Sequence, residues 1–252
     1  MKKFTKFIVL IILLVLAFIT YLSTIGFETK RFNNQIESKI KKIDKNLSIE
    51  LTEVKIVLEP FNLKLKIKTL GPKIRNQNNV IEIENIKMQI SLRSLIKDQF
   101  SIENLEISTK AIIIKDLISF IRESYKNPEL YILETIIKKG YLIADLQLDF
   151  DEDGNVKDNY EINGFIKDTH LGILKKYNID KLNLIFSLKK NDLRFNDIIL
   201  SLNDSTFSSD KIHIKDLKNK FLAEGDFSNK KYYLNNQFLE LLSKSFAQKL
   251  NA

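Results

Sequence analysis

Through most of residues 47–115 and 140–234, apolar and polar positions alternate with a period of two. That is the pattern of antiparallel strands with one buried and one wet face. Phe61, Leu63, Leu65 and Ile67 alternate in this way with Asn62, Lys64, Lys66 and Lys68. The alternation slips in a regular manner. In IEIENIKM (81–88), Ile81/Ile83 and Ile86/Met88 each step by two, but the step between the pairs is three. Strict alternation would send the second pair to the opposite face. The same string recurs at IELTEVKI (49–56), FSIENLEI (100–107), YNIDKLNL (177–184) and LRFNDIIL (193–200). Shorter versions stand at IIIKDL (112–117) and IHIKDL (212–217). A two-residue hairpin at the slip would leave very short arms and lacks the Gly such turns prefer. A β-bulge, in which two residues oppose one, restores the facing of the second pair and bends the strand. The slip therefore predicts a curved antiparallel sheet with a crease.

The bulges gather one set of side chains along an elongated apolar groove. It comprises Ile49, Leu51, Val54, Ile56, Leu63, Leu65, Ile81, Ile83, Ile86, Met88, Ile102, Leu105, Ile107, Ile179, Leu182, Leu184, Phe195, Ile198 and Leu200. Roughly ten strands at about 4.8 Å give a trough of about 50 Å. Two arrangements satisfy such a face. The sheet closes on itself or takes a helical cover, and the face is core. Alternatively the groove stays open and holds lipid chains, since contiguous exposed apolar surface marks a binding site.

Elsewhere the period changes. FIVLIILLVLAFITYLSTIGF (7–27) has 21 residues without a charge, enough for about 30 Å of helix and one hydrocarbon core. Its length, and the lack of a clean small-x-small site after it, favour an uncleaved anchor over a signal peptide. Phe32, Ile36, Ile40, Ile43 and Leu47 recur at helical steps. The predicted plan is a tip and transmembrane anchor over 1–27 and an amphipathic exit helix over 28–46. A β region follows over 47–115, a helix pair broken at Asn127-Pro128 over 116–139, and a second β region over 140–234. An amphipathic helix over 235–252 carries Phe238, Leu241, Leu242 and Phe246 on one stripe.

Charge changes the picture mainly at the anchor. The chain carries a net +8. Lys2, Lys3 and Lys6 supply +3 and residues 28–46 another +3, so the remaining residues hold only +2. The excess brackets the apolar segment, as attraction to anionic headgroups requires. No basic face with stacking aromatics points to nucleic acid. Counting Lys and Arg on the two flanks leaves the sidedness open.

Candidate chemistry is sparse. In DFDEDGNVKDNY (149–160), Asp149, Asp151, Asp153 and Gly154 match the start of a calcium loop, but Tyr160 stands where the closing Glu belongs. An acidic hairpin loop accounts for it better, since Asp-Gly is turn chemistry and strands flank it where a calcium loop needs helices. His170 and His213 have no ligand-spaced partner, and no nucleophile motif or phosphate-binding Gly loop occurs. The pattern predicts no enzyme and no cofactor.

The anchor at 7–27, the exit helix, and the strands VIEIENIKMQISLRSLI and FSIENLEISTKAIIIKDL resemble the AsmA-like family of envelope proteins. The stretch LRFNDIILSLNDSTFSSDKIHIKDLKNKFLAEGDF (193–227) is similar to that family's repeat of strand, Ser-rich turn, strand and terminal Gly. The resemblance implies an inner-membrane anchor, a bulk in the periplasm, and a groove that binds phospholipid. It also implies a part in moving phospholipid towards the outer membrane, or in outer-membrane assembly. Many members are far longer. The competing expectation is an envelope scaffold that binds another protein through sheet edges or the terminal helix.

Overall fold

A computed structural model describes residues 2–30, 33–34, 37, 41, 45–77, 79–97, 101–173, 177–202, 205–216 and 221–229. The predicted terminal helix at 235–252 lies outside the described residues. So do Phe32, Ile36, Ile40 and Ile43 of the predicted exit helix.

Helix α1 (Lys2–Thr24) contains a segment, Phe4–Thr24, long and apolar enough to span a membrane. Its hydroxyls at Thr20, Ser23 and Thr24 donate to carbonyls four residues back, each at 2.8 Å. Those bonds satisfy polar groups that hydrocarbon could not. The chain then turns at Gly26, whose φ of +71° suits glycine. A Cβ there would strike the carbonyl oxygen of Ile56. Strand β1 (Phe27–Thr29) follows at once, so the sheet begins where the apolar helix ends.

The remaining strands are β2 (Leu47–Glu50), β3 (Val54–Glu59), β4 (Lys64–Leu70), β5 (Lys73–Asn76), β6 (Asn79–Ser91), β7 (Ile102–Thr109), β8 (Ile112–Ile113), β9 (Ile137–Asp149), β10 (Glu161–Ile173), β11 (Tyr177–Lys189), β12 (Asp192–Leu202), β13 (Ser205–Asp216) and β14 (Phe221–Gly225). All fourteen join one sheet in the order β1-β3-β4-β6-β7-β9-β10-β11-β12-β13-β14. Strands β2 and β5 pair beside the first half of β6, and β8 beside β9. Every pairing is antiparallel, and the sheet is open and curved.

Among the described residues, three helices interrupt the strands: α2 (Leu92–Ile96), α3 (Ile114–Ser124) and α4 (Pro128–Ile136). The break between α3 and α4 has a local cause. Pro128 takes the first helical turn, and the Asn127 side chain accepts from the Glu129 N–H at 2.8 Å. Ile114 and Ile118 of α3 are buried against the sheet. The fully buried Asn76 donates to the Phe120 carbonyl at 3.0 Å and to Ser124 Oγ at 2.8 Å. Helix α4 leans on α3 through the Arg122–Glu134 ion pair at 2.9 Å and buries no residue of its own.

Several boundaries depart from the pattern. The alternation at Phe61 and Leu63 belongs to a turn, because Leu63 has a φ of +50° and Phe61 is fully exposed. IIIKDL is a strand-to-helix junction, with β8 giving way to α3 at Ile114. Ile137, which continues the helical spacing of ELYILETIIKK, is already strand, because its side chain is buried opposite Leu171.

Candidate functional site: a creased apolar face

Directly opposed residues of an antiparallel pair point to the same side of a sheet. One such row runs Val54, Thr69, Ile86, Ile107, Leu146, Ile162, Leu188, Leu193, Ile214 and Ala223. It crosses ten strands, about 40 Å at the usual strand spacing, and its only polar member is Thr69.

The slips are bulges in four of the five full motifs. In β6 the residues Ile83 and Asn85 oppose Thr109 and Ser108, so the chain gains one residue there. Ile83 and Ile86 consequently share a face. Strand β7 gains one at Glu103, which keeps Ile102 beside Leu105. Strands β11 and β12 gain theirs at Asp180 and around Asp197, and Asp197 adopts a φ of +50°. The fifth motif, IELTEVKI, behaves differently. The strand is interrupted at 51–53 and resumes as β3. Opposite that interruption, β4 hands over to β5 at Gly71-Pro72, where Gly71 has a φ of +59°.

Two bulges had no apolar signal, one of them in β9, which gains a residue at Lys138 opposite His170 and Leu171. Strand β10 gains a residue at Lys167-Asp168, with Asp168 at a φ of +49°. Its N–H donates to Asn183 Oδ1 at 2.7 Å. The face position after the slip is Thr169 rather than an aliphatic residue. Thr169 is 2% exposed and approaches Gly140 of β9 so closely that a Cβ on Gly140 would lie 2.9 Å from its Cα. Only small side chains fit at that approach.

The expected groove residues divide by burial. Ile49, Val54, Ile56, Ile81, Ile83, Ile86 and Ile198 are core. Ile49, Ile81, Ile83 and Ile86 form one cluster with Ile112, onto which Leu117 and Phe120 of α3 pack. Leu51, Leu65, Met88, Ile102, Leu105, Ile107, Ile179, Leu182, Leu184, Phe195 and Leu200 are half-buried. Leu63 is exposed in its turn and does not line the face. Leu142, Leu146, Ile162, Ile166, Phe186 and Leu188 also belong to it, by their pairing. At the α1 end, α3 covers the face. Among the described aliphatic and aromatic residues of the face in β10 to β13, only Ile198 reaches core burial.

The opposite face carries charge, and clefts open on it. One, of about 850 Å³, lies beside β1, β3, β4 and β6 and includes Lys55, Lys68 and Lys87. A second cleft holds Asp158, Lys190, Asp192 and Arg194. Within it Arg194 grips both carboxylate oxygens of Asp192 at 2.9 and 3.1 Å. His213 Nε2 lies 2.8 Å from one of them. The Arg194 guanidinium, aided by His213, lowers the Asp192 pKa to about 2.

Of the candidate calcium residues, Asp149 and Asp151 engage their carboxylates in hydrogen bonds at the loop, and Asp153 is exposed. Asp151 Oδ1 accepts the N–H groups of Asp153 and Asn155 at 3.0 and 2.8 Å, which holds its carboxyl below the ordinary range. Asp149 accepts from Asn104 and Asn159 at 2.8 and 2.6 Å. These carboxylates tie a turn together. Among the described residues, no three of His, Cys, Asp and Glu are grouped to hold a metal ion.

Comparison with family models, with characterised proteins and with solved structures finds no match.

Proposed function

We propose that this protein is a single-pass membrane protein whose open β-sheet binds phospholipid acyl chains along its apolar face. One observation carries the reading: the apolar row crosses ten strands without a charged residue and stays half-buried over β10 to β13. Helix α1 supports the anchor. The resemblance to AsmA-like proteins adds the inner membrane, a periplasmic location, and traffic of phospholipid towards the outer membrane or support of its assembly. The mechanism is passive. Each buried CH₂ contributes about 0.8 kcal/mol, and a uniform apolar row lets a chain slide with little net change. No residue performs covalent chemistry in this reading.

A photo-crosslinking amino acid at Leu184 or Leu200 is expected to capture phospholipid in membranes. The same probe at Ile185 or Ile199, exposed on the other face, is expected to capture none. Equal capture from both faces, or none from either, rejects the reading.

A second reading, an assembly scaffold, draws on the sheet edge at β14. Among the described residues, strand β14 pairs only with β13, and all five of its residues are exposed. Such an edge accepts a further strand. Protein rather than lipid adducts from Phe221 and Leu184 together would favour it.

A further inference from the structure

On the charged face, a second cross-strand row runs parallel to the apolar one. It reads Glu28, Lys55, Lys68, Lys87, Glu106, Gln147, Glu161, Lys189, Asp192 and Lys215. From Lys87 onward no two like charges are neighbours. Lys87 meets Glu106 at 3.2 Å and Lys189 meets Glu161 at 4.0 Å. The pattern fails once, where Lys55, Lys68 and Lys87 stand side by side on three adjacent strands. Like charges directly opposed destabilise a sheet. Among the described residues, neither Lys55 nor Lys68 has an ion-pair partner. All three line the cleft of about 850 Å³, together with Lys66 and the carboxylates of Glu28, Glu53 and Glu106.

The position of this cleft names its occupant. Glu28, in its wall, is only four residues past the end of α1. Four extended residues reach at most about 14 Å. With α1 across a bilayer, the lysines stand at the level of the lipid phosphates just outside the hydrocarbon core. We infer that Lys55, Lys68 and Lys87 form a binding site for the phosphate of an anionic phospholipid in the membrane that α1 crosses. The lipid neutralises the repulsion that the fold leaves unpaired, and it orients the first strands against the membrane surface. The site lies on the face opposite the acyl-chain row. It rests on α1 as an anchor and not on lipid in the apolar groove.

The test uses the full chain in nanodiscs of equal parts phosphatidylglycerol and phosphatidylcholine. Lipids retained after gentle extraction are counted by native mass spectrometry. The wild type is expected to retain phosphatidylglycerol preferentially. Replacing Lys55, Lys68 and Lys87 by Gln is expected to lower that preference by roughly fivefold per lysine. The triple Arg variant keeps it, and circular dichroism checks that the Gln variant folds. A control removes Lys181, Lys189 and Lys211, which lie far along the sheet. An unchanged preference in the Gln variant overturns the proposal, as does an equal loss in the control. Inorganic phosphate that displaces the retained lipid leaves the site a general phosphate site and overturns the membrane-lipid assignment. Failure of the chain to stay with membranes after carbonate washing overturns the anchor instead.

Discussion

At the α1 end of the sheet, Ile81, Ile83 and Ile86 lie under α3 and reach core burial. Towards β14, Leu184, Phe195 and Leu200 occupy the same face, written in the same slipped pattern, and remain half-buried. The local code is therefore shared, and the difference is one of cover. A strand specifies its facing by alternation and its bend by a bulge. Whether the resulting face becomes core depends on which other element reaches it. Helix α3 does so because Ile114, Leu117, Ile118 and Phe120 form a stripe at helical spacing. Asn76 then fastens its far end to β5. The covered end is core, and the half-buried end is the part of the face that the proposed acyl-chain binding would use.

The sharpest way to break this division is at the seam between the two ends. Gly140→Val places a branched side chain against Thr169 at a φ of +145°. It is expected to cost about 4 kcal/mol, read as a loss of cooperative thermal unfolding by circular dichroism. A paired measurement comes next. Ile83→Ala is expected to cost about 3 kcal/mol and Leu200→Ala about 1 kcal/mol in chemical denaturation. Equal costs would mean that both ends are equally covered.

Comparing the acid titration of an Asp192 variant with that of the unaltered chain probes the β14 end. The Asp192 pKa is held at about 2, below its ordinary 3.8, by Arg194 and then His213. The ionised form is thus favoured by folding. Its contribution is complete above the ordinary value and drains away as pH falls through about 2. Asp192→Asn is expected to flatten melting temperature against pH in that window and to lower it at neutral pH, where the contribution is complete. The smallest effect belongs to the α1 end. Lys68→Gln relieves two like-charge contacts and is expected to stabilise the lipid-free protein by about 0.5 kcal/mol, seen as a slight rise in melting temperature.

Much of this architecture was legible because both sides of a slip carry aliphatic residues. Ile83 and Ile86, or Phe195 and Ile198, declare their common face without help. The bulge in β10 was hidden because Thr169 holds the position where the pattern needs a Leu or Ile. Leu63 misled for the opposite reason, as period-two spacing ran on into a turn whose backbone had already left the strand. IIIKDL could be strand or helix by composition, and the burial of Ile114 against the sheet decided it. The lysine row was out of reach of any local pattern. Lys55, Lys68 and Lys87 each look like an ordinary wet position, and only the pairing of β3, β4 and β6 brings them together.

The bulges also have a consequence for assembly of the sheet. A plain antiparallel pair can slide by two residues and keep every side chain on its proper face, so alternation alone tolerates such mispairing. Corrugated strands cannot do this. The irregularities of β9, β10, β11 and β12 fall at adjoining positions on neighbouring strands, and a two-residue slide would set a kink against a straight segment. Asp168 and Asp197, in their left-handed conformations, then act as alignment pins between strands as they zip together. A long, open and repetitive sheet has many wrong ways to pair, and these pins leave it one.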